Sequence, residues 1–278
     1  MSIAIAVPNL NQGRFLGAAL DSLRQSDVTV RRAVLDAGST DGSRGLIERR
    51  ASELAFWRSE PDGGQAAAVN EGVERLTRTH PDEIEAVGWL NADDFFLEHG
   101  LDRLWQALVD HPGWIAVSGR AALASDTGKI IGEIATEPFS REHFARACTI
   151  CQPATLVRRW AWERIGGLDA SLEMCFDYDL WWRLARLGEI GYLDAVVAAS
   201  RDHSETKTRQ LRAQYFREAT AIVRRETGQV PWHWYISEAI ERQVHYEVGR
   251  RPPLGVRLLA GMEAATSYVR DRWRSPVS

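Results

Sequence analysis

Three cysteines in 278 residues are too few for a disulfide framework. Cys148-x-x-Cys151 has no second pair to close a zinc site, so these two and Cys175 read as buried thiols. Long apolar runs are also missing. "MSIAIAVPNL" is apolar for only a few residues and has no basic leader, and no later stretch approaches a membrane span, so a soluble, cytoplasmic protein is expected. A net charge of -4 gives no reason to expect nucleic-acid binding. There is no G-x-x-x-x-G-K-[ST], and no G-x-G-x-x-G follows the first apolar run, which argues against phosphate-loop and dinucleotide-binding readings.

What is present is a repeated order of strand, polar loop and helix. "SIAIAV" precedes "PNLNQG" and then "RFLGAALDSLRQS", where Phe15, Ala19, Leu20 and Leu23 recur at helical spacing. "RRAVLD" leads through "AGSTDGS" into a helix, "AFWRSEPDGG" into "QAAAVNEGVERLTR", and "EIEAVGWLNADD" into "LDRLWQALVDH". Such alternation predicts βαβ units and a mainly parallel twisted sheet flanked by helices. After about residue 114 the strands shorten, with "WIAVSGRAAL" and "KIIGEIAT" joined by the turn "SDTG". Beyond His203 the chain reads as a helical C-terminal extension.

Ligands of open parallel sheets bind beyond the carboxyl ends of the strands, where all four polar loops fall. That explains why Asp93 and Asp94 follow a run as apolar as "AVGWL": they belong at the mouth of a site, since buried charges must be paired or bound to metal. Acidic residues at strand ends suit a hard divalent cation, Mn²⁺ or Mg²⁺, that neutralises phosphates. With no glycine-rich phosphate cradle, a metal held by Asp93 is the expected counter-charge. Asp41 is read as a helix cap, and Arg14 is the one basic residue in the loop after the first strand.

Six motifs then occur in order: "VPNLNQGRFLGAALDSLRQS", "DAGSTDGS", "SEPDGGQAAAVNEG", "WLNADD", "IGGLDASL" and "FDYDLWWRLARLG". Over residues 2 to 208 this order resembles the family 2 glycosyltransferases, nucleotide-sugar-dependent inverting enzymes of GT-A fold. The resemblance implies a catalytic domain at 1–208, with a nucleotide-sugar half to about 113 and an acceptor half after it, and a helical extension at 209–278.

By the same resemblance Pro8 and Asn11 line the nucleotide pocket and Asp36 meets the base edge. Asn91 to Asp93 take the D-x-D position, with Asn91 uncharged and Asp93 on the metal. Asp177 takes the position of the general base, although Phe176 replaces the usual acid before it, and Asp179 is the neighbouring candidate. His203 in "HSETKT" completes the metal shell and Lys207 contacts the diphosphate. Ala67 stands where a subgroup carries an acid. Asp179 with Trp181 or Trp182 would border the acceptor or sugar; adjacent helical positions are expected not to face the core together, so one tryptophan should turn toward a site or interface.

The implied activity is transfer of a sugar from a nucleoside diphosphate sugar, UDP-sugar favoured, to a hydroxyl of a glycan or lipid-linked acceptor in cell-surface polysaccharide synthesis. The alternatives are a sugar nucleotidyltransferase, or a non-catalytic nucleotide-sugar-binding module. From His203 onward thirteen Lys or Arg stand against eight Asp or Glu. With Arg250, Arg251 and "YVRDRWR" (Arg270, Arg272, Trp273, Arg274), this tail suits either peripheral contact with the inner membrane face or packing on the catalytic domain or a second copy in a homodimer.

Overall fold

The computed structural model describes residues 2–243 and 254–274. In chain order the strands are β1 (Ser2–Asn9), β2 (Thr29–Asp36), β3 (Phe56–Ser59), β4 (Ile84–Trp89), β5 (Phe95–Phe96), β6 (Trp114–Ala124), β7 (Ile130–Ile134), β8 (Thr155–Arg158) and β9 (Glu189–Arg201). The helices are α1 (Gly13–Ser22), α2 (Ser43–Arg49), α3 (Gln65–Thr79), α4 (Gly100–Asp110), α5 (Arg141–Phe144), α6 (Arg159–Ile165), α7 (Phe176–Leu187), α8 (Lys207–Gln210), α9 (Arg212–Thr227), α10 (Trp232–Gln243) and α11 (Leu254–Arg274).

One sheet runs β3-β2-β1-β4-β8-β6-β9-β5, with β7 on β6. The four strands from β3 to β4 are mutually parallel. The chain steps outward from β1 to β2 and β3 and then returns to the other side of β1 for β4, which creates a crevice beyond the carboxyl ends of β1 and β4. The second half is mixed: β8 is antiparallel to both β4 and β6, and β6 is parallel to β9. Only the first half therefore has the uniform direction that alternating strands and helices imply.

Local sequence explains the packing. β1 is buried on both faces, which its unbroken apolar run requires. On α1, Phe15, Leu16, Ala19 and Leu20 form the buried stripe. α3 lies so close to the sheet that a Cβ on Gly72 would come within 2.6 Å of Leu35 and 2.8 Å of Ala6, so glycine is needed there for the helix to seat.

The chain divides into two compact units, one of residues 1–139 and 149–203, the other of 140–148 and 204–278. In the second unit Trp234 donates its indole N–H to the Ala145 carbonyl at 2.9 Å and packs on Phe216 and Tyr215. The short α5 segment thus belongs with the C-terminal helices. Among the described residues no helix is long and apolar enough to cross a membrane. Arg250 and Arg251 lie outside the described residues, as do the side chains of Arg270, Arg272, Trp273 and Arg274.

Candidate active site

The site is built where β1, β2 and β4 end. At the tip of β2, Asp36 is fully buried and accepts four hydrogen bonds. These come from Asn9 Nδ2 at 2.6 Å, Ser39 Oγ at 2.5 Å, Ser39 N at 3.1 Å and Ser59 Oγ at 2.6 Å. Burial pushes the carboxyl up, but the donors from Ser39, Ser59 and Asn9 outweigh it and hold the group below its ordinary value. Asn9 and Asp36 are paired in register, so this network is a direct product of the parallel ladder. Sequence reasoning passed over Asn9; its signal was a polar residue ending a strand directly opposite an aspartate. Its Oδ1 is buried with no hydrogen-bond partner among the described residues.

Asn11 adopts a positive φ of 54° and locks the two neighbouring loops together. Its N–H donates to Ser39 Oγ at 2.8 Å and its Oδ1 accepts from Thr40 N at 2.9 Å. Gly42, not Asp41, is the N-cap residue of α2; Asp41 stands one residue before it and accepts from Ser43 N at 3.0 Å and from Gly13 N at 2.7 Å at the start of α1. Pro8 is buried within β1, behind these loops.

The loop after β4 carries Asn91, Asp93 and Asp94. Asn91 accepts from Gln65 Nε2 at 2.8 Å and donates to Asp94 Oδ2 at 3.2 Å. Asp94 is buried and accepts from Arg201 N at 3.1 Å, which ties the loop to the end of β9. Burial, with the charge of Asp93 added, raises the Asp94 carboxyl to about 8. Two residues past Arg201, His203 presents Nε2 to Asp93 Oδ2 at 3.1 Å, so residues 110 positions apart in sequence are brought together. The His203 ring also packs on Phe15 at 4.9 Å, and Arg201 stands over the rings of Phe15 and Phe95.

Asp177 lies in the first turn of α7. Its Oδ1 accepts from Tyr178 N at 2.7 Å, and burial raises the carboxyl from 3.8 to about 6. Cys151 lies near both Asp94 and Asp177, whose charges add to the burial that pushes its thiol up. Cys175 is buried, whereas Cys148 and Cys151 are only partly covered, which corrects the expectation of three buried thiols.

The expected acceptor residues are placed differently. Trp181 and Trp182 are both fully buried, so neither turns outward as the adjacent-position argument required. Trp181 stacks on Trp89 at 6.2 Å, while Trp182 meets Phe139 and Tyr178 edge-on, so α7 is covered across a wider arc than one stripe. Asp179 is buried and paired with Arg183 at 2.6 Å, and Arg183 also donates to the Ile165 carbonyl at 3.0 Å, which anchors α7 to the end of α6. Lys207 opens α8 in the second unit.

Asp27, His99 and Asp102 also converge, beside the turn that follows α1. Asp102 there accepts from Ser26 Oγ at 2.6 Å and from the N–H groups of Asp27 and Val28 at 2.9 and 3.0 Å, which makes it the organiser of that turn.

Known proteins share this chain's sequence pattern and fold. The family model described as Glycosyl transferase family 2 matches residues 4–153. An uncharacterized glycosyltransferase of Rickettsia typhi is 21% identical over 258 residues, 87% of this chain and 74% of that protein. The chain spans 65% and 35% of two further Rickettsia glycosyltransferases, from Rickettsia prowazekii and Rickettsia conorii. Chondroitin synthase of Pasteurella multocida is 23% identical over 198 residues, 70% of this chain and 20% of that protein.

Two solved structures share the fold. TarS 1–349 of S. aureus in complex with UDP-GlcNAc aligns with a TM-score of 0.63 at 14% identity, covering 98% of this chain and 81% of that one. The mannosyltransferase PcManGT from Pyrobaculum calidifontis, in complex with GDP-Man and Mn²⁺, aligns at 0.58 and 18% identity, covering 99% and 72%. The sheet with its flanking helices is thus the GT-A arrangement. With a family model matched over more than half its length, the chain belongs to glycosyltransferase family 2.

Proposed function

We propose that this glycosyltransferase moves a sugar, with inversion, from a nucleoside diphosphate sugar to a hydroxyl of a glycan or lipid-linked acceptor, a UDP-sugar being the favoured donor. The observation that carries the reading is the meeting of Asp93 and His203 at 3.1 Å beyond the strand ends. A carboxylate oxygen and an imidazole nitrogen converging on one point fit a divalent cation such as Mn²⁺ or Mg²⁺, with donor oxygens and water completing its shell. Once bound, such an ion neutralises charge on the departing diphosphate.

The protein's own groups do the rest. Asp36, with Asn9, Ser39 and Ser59, forms the polar floor of the nucleotide pocket, and Asn11 fixes its rim. Gln65 and Asp94 hold Asn91 and so set the loop that carries Asp93. Asp177 accepts the proton of the attacking hydroxyl as the new C–O bond forms, and the electron pair of the broken bond leaves with the diphosphate. A carboxyl raised to about 6 by burial is a stronger base than an exposed aspartate and is ionised near neutral pH. Lys207 is proposed as a diphosphate contact on its motif alone.

UDP-GlcNAc and GDP-Man occur with the two structural neighbours, and chondroitin synthase stands among the relatives, which supports a nucleotide-sugar donor and a polysaccharide product. Peripheral membrane contact through the C-terminal helices is part of the reading, supported by the exposure of Leu259 and Met262 on α11. The test is a panel of nucleotide sugars with Mn²⁺, scored by nucleoside diphosphate release for wild type and Asp93→Ala. The reading requires release by wild type only; undiminished release with Asp93→Ala, or in excess EDTA, overturns it.

A further inference from the structure

The nucleotide pocket proposed above has a saturated carboxylate in its floor. Asp36 is 0% exposed, and its two oxygens offer about four lone-pair positions. Asn9 Nδ2 and Ser39 Oγ take those of Oδ1, and Ser39 N and Ser59 Oγ take those of Oδ2. Ser39 Oγ gives its one hydrogen to Asp36 and accepts from Asn11 N at 2.8 Å and from Asn9 Nδ2 at 3.2 Å. Both hydrogens of Asn9 Nδ2 are therefore in use, on Asp36 and on Ser39. The same contacts fix which way the amide faces, since its oxygen would be repelled at 2.6 Å from an ionised carboxylate. What the network leaves over is Asn9 Oδ1, an acceptor with no donor on a residue only 4% exposed.

That oxygen is turned toward the crevice. β1 is flanked by β2 as far as Asn9 opposite Asp36, but by β4 only as far as Ala6 opposite Trp89, so among the described residues no strand borders residues 7–9 on the β4 side. The Asn9 amide is planar and its nitrogen reaches across to β2, which leaves its oxygen pointing away from β2, toward the side on which β4 has ended. We propose that Asn9 Oδ1, and not Asp36, reads the nucleobase of the donor by accepting its ring N–H. The inference rests on the donor pocket proposed above and names the class of base that pocket selects. Uracil, thymine and guanine carry a ring N–H beside a carbonyl and supply the missing donor. Cytosine and adenine present a ring-nitrogen lone pair at that place, which the amide oxygen repels, so the buried acceptor stays without a donor. Asp36 then acts by holding Asn9, Ser39 and Ser59 in place.

The test is calorimetric titration of wild type, Asn9→Ala and Asn9→Ser with UDP, N3-methyl-UDP, CDP and the 2′- and 3′-deoxy analogues of UDP in the presence of Mn²⁺, with folding checked by circular dichroism. Wild type should bind UDP about tenfold or more tighter than N3-methyl-UDP and CDP. Both variants should weaken UDP and bring the gap between UDP and N3-methyl-UDP below about threefold, while the effect of removing a ribose hydroxyl stays as in wild type. Serine keeps a hydroxyl donor for Asp36, so the second variant covers a failure of alanine to fold. Wild type that binds N3-methyl-UDP as tightly as UDP overturns the proposal without any variant. A gap that persists in the folded variants assigns base reading to another group, and variants that erase a deoxy effect instead assign Oδ1 to the ribose; either overturns the proposal. If wild type binds GDP or dTDP in place of UDP, the uridine preference has failed, and N1-methyl-GDP or N3-methyl-dTDP makes the same comparison. Wild type that binds no nucleoside diphosphate refutes the donor pocket and the Asn9 role together.

Discussion

Replacing Asp177 with asparagine should make the protein more stable and less active, and the stability gain should depend on pH in a definite direction. Folding moves the Asp177 carboxyl from 3.8 to about 6, mainly because burial disfavours its charged form. The folded state therefore binds a proton more tightly than the unfolded chain, and holding the group ionised above pH 6 costs stability. At about 1.4 kcal/mol per tenfold change, the cost approaches roughly 3 kcal/mol above that pH. It is relieved as pH falls from about 6 toward 3.8 and is gone below that. Asparagine keeps an acceptor for the Tyr178 N–H and carries no charge. Because a buried amide has its own desolvation cost, about half the ceiling should be realised, a gain of about 1–2 kcal/mol or roughly 3–6 °C in Tm at pH 8, vanishing near pH 4. Thermal unfolding of both proteins across pH 4–8, with turnover and UDP binding measured on the same samples, checks this. Transfer should fall by orders of magnitude while UDP affinity holds. A stability difference that does not vary with pH, or a variant that transfers at the wild-type rate, would refute the reasoning.

In wild type, turnover should rise as pH passes through about 6, where Asp177 ionises, and a profile flat between pH 5 and 7.5 counts against it as the base. Asp179→Asn breaks a buried pair with Arg183 and should lower stability by about 3 kcal/mol with UDP affinity retained, read by urea unfolding and calorimetry; a stable variant devoid of transfer would instead make Asp179 the base. Gly167→Ala should cost about 1–3 kcal/mol in the same assay, because that residue has a φ of +71° and a Cβ there would approach Asn70 Oδ1 to 2.6 Å. Co-sedimentation with anionic and neutral vesicles at low salt decides the membrane contact. Equal binding to both, or binding unchanged after removal of residues 250–278, removes that part of the reading.

The parallel half of the fold was legible because each strand, loop and helix announces itself within about twenty-five residues, and the polar loops mark the strand ends. β5 escaped notice because two phenylalanines carry no periodicity, and their pairing with Ala198 and Ala199 depends on a strand a hundred residues away. The antiparallel insertion of β8 between β4 and β6 is a tertiary choice that no local pattern encodes. In the site, Asp36, Asp93, His203 and Asp177 were named from motif order. The bonds that hold them were invisible, since Asn9, Ser59, Gln65 and Arg201 are ordinary polar residues until the fold sets them beside a carboxylate. Trp181 and Trp182 misled because the coverage of a helix is decided by its neighbours, and α7 has them on more than one side.

The stack of Trp89 on Trp181 joins the end of β4 to α7. Trp89 ends the strand that leads into Asn91 and Asp93, and Trp181 is four residues beyond Asp177 on α7, with the rings at 6.2 Å and 11° from parallel. Two indoles in that geometry couple optically, so a far-ultraviolet circular dichroism couplet should report their relative arrangement. If donor binding shifts the end of β4, the couplet changes before any acceptor is present, and the order in which the two substrates arrive becomes visible without a label.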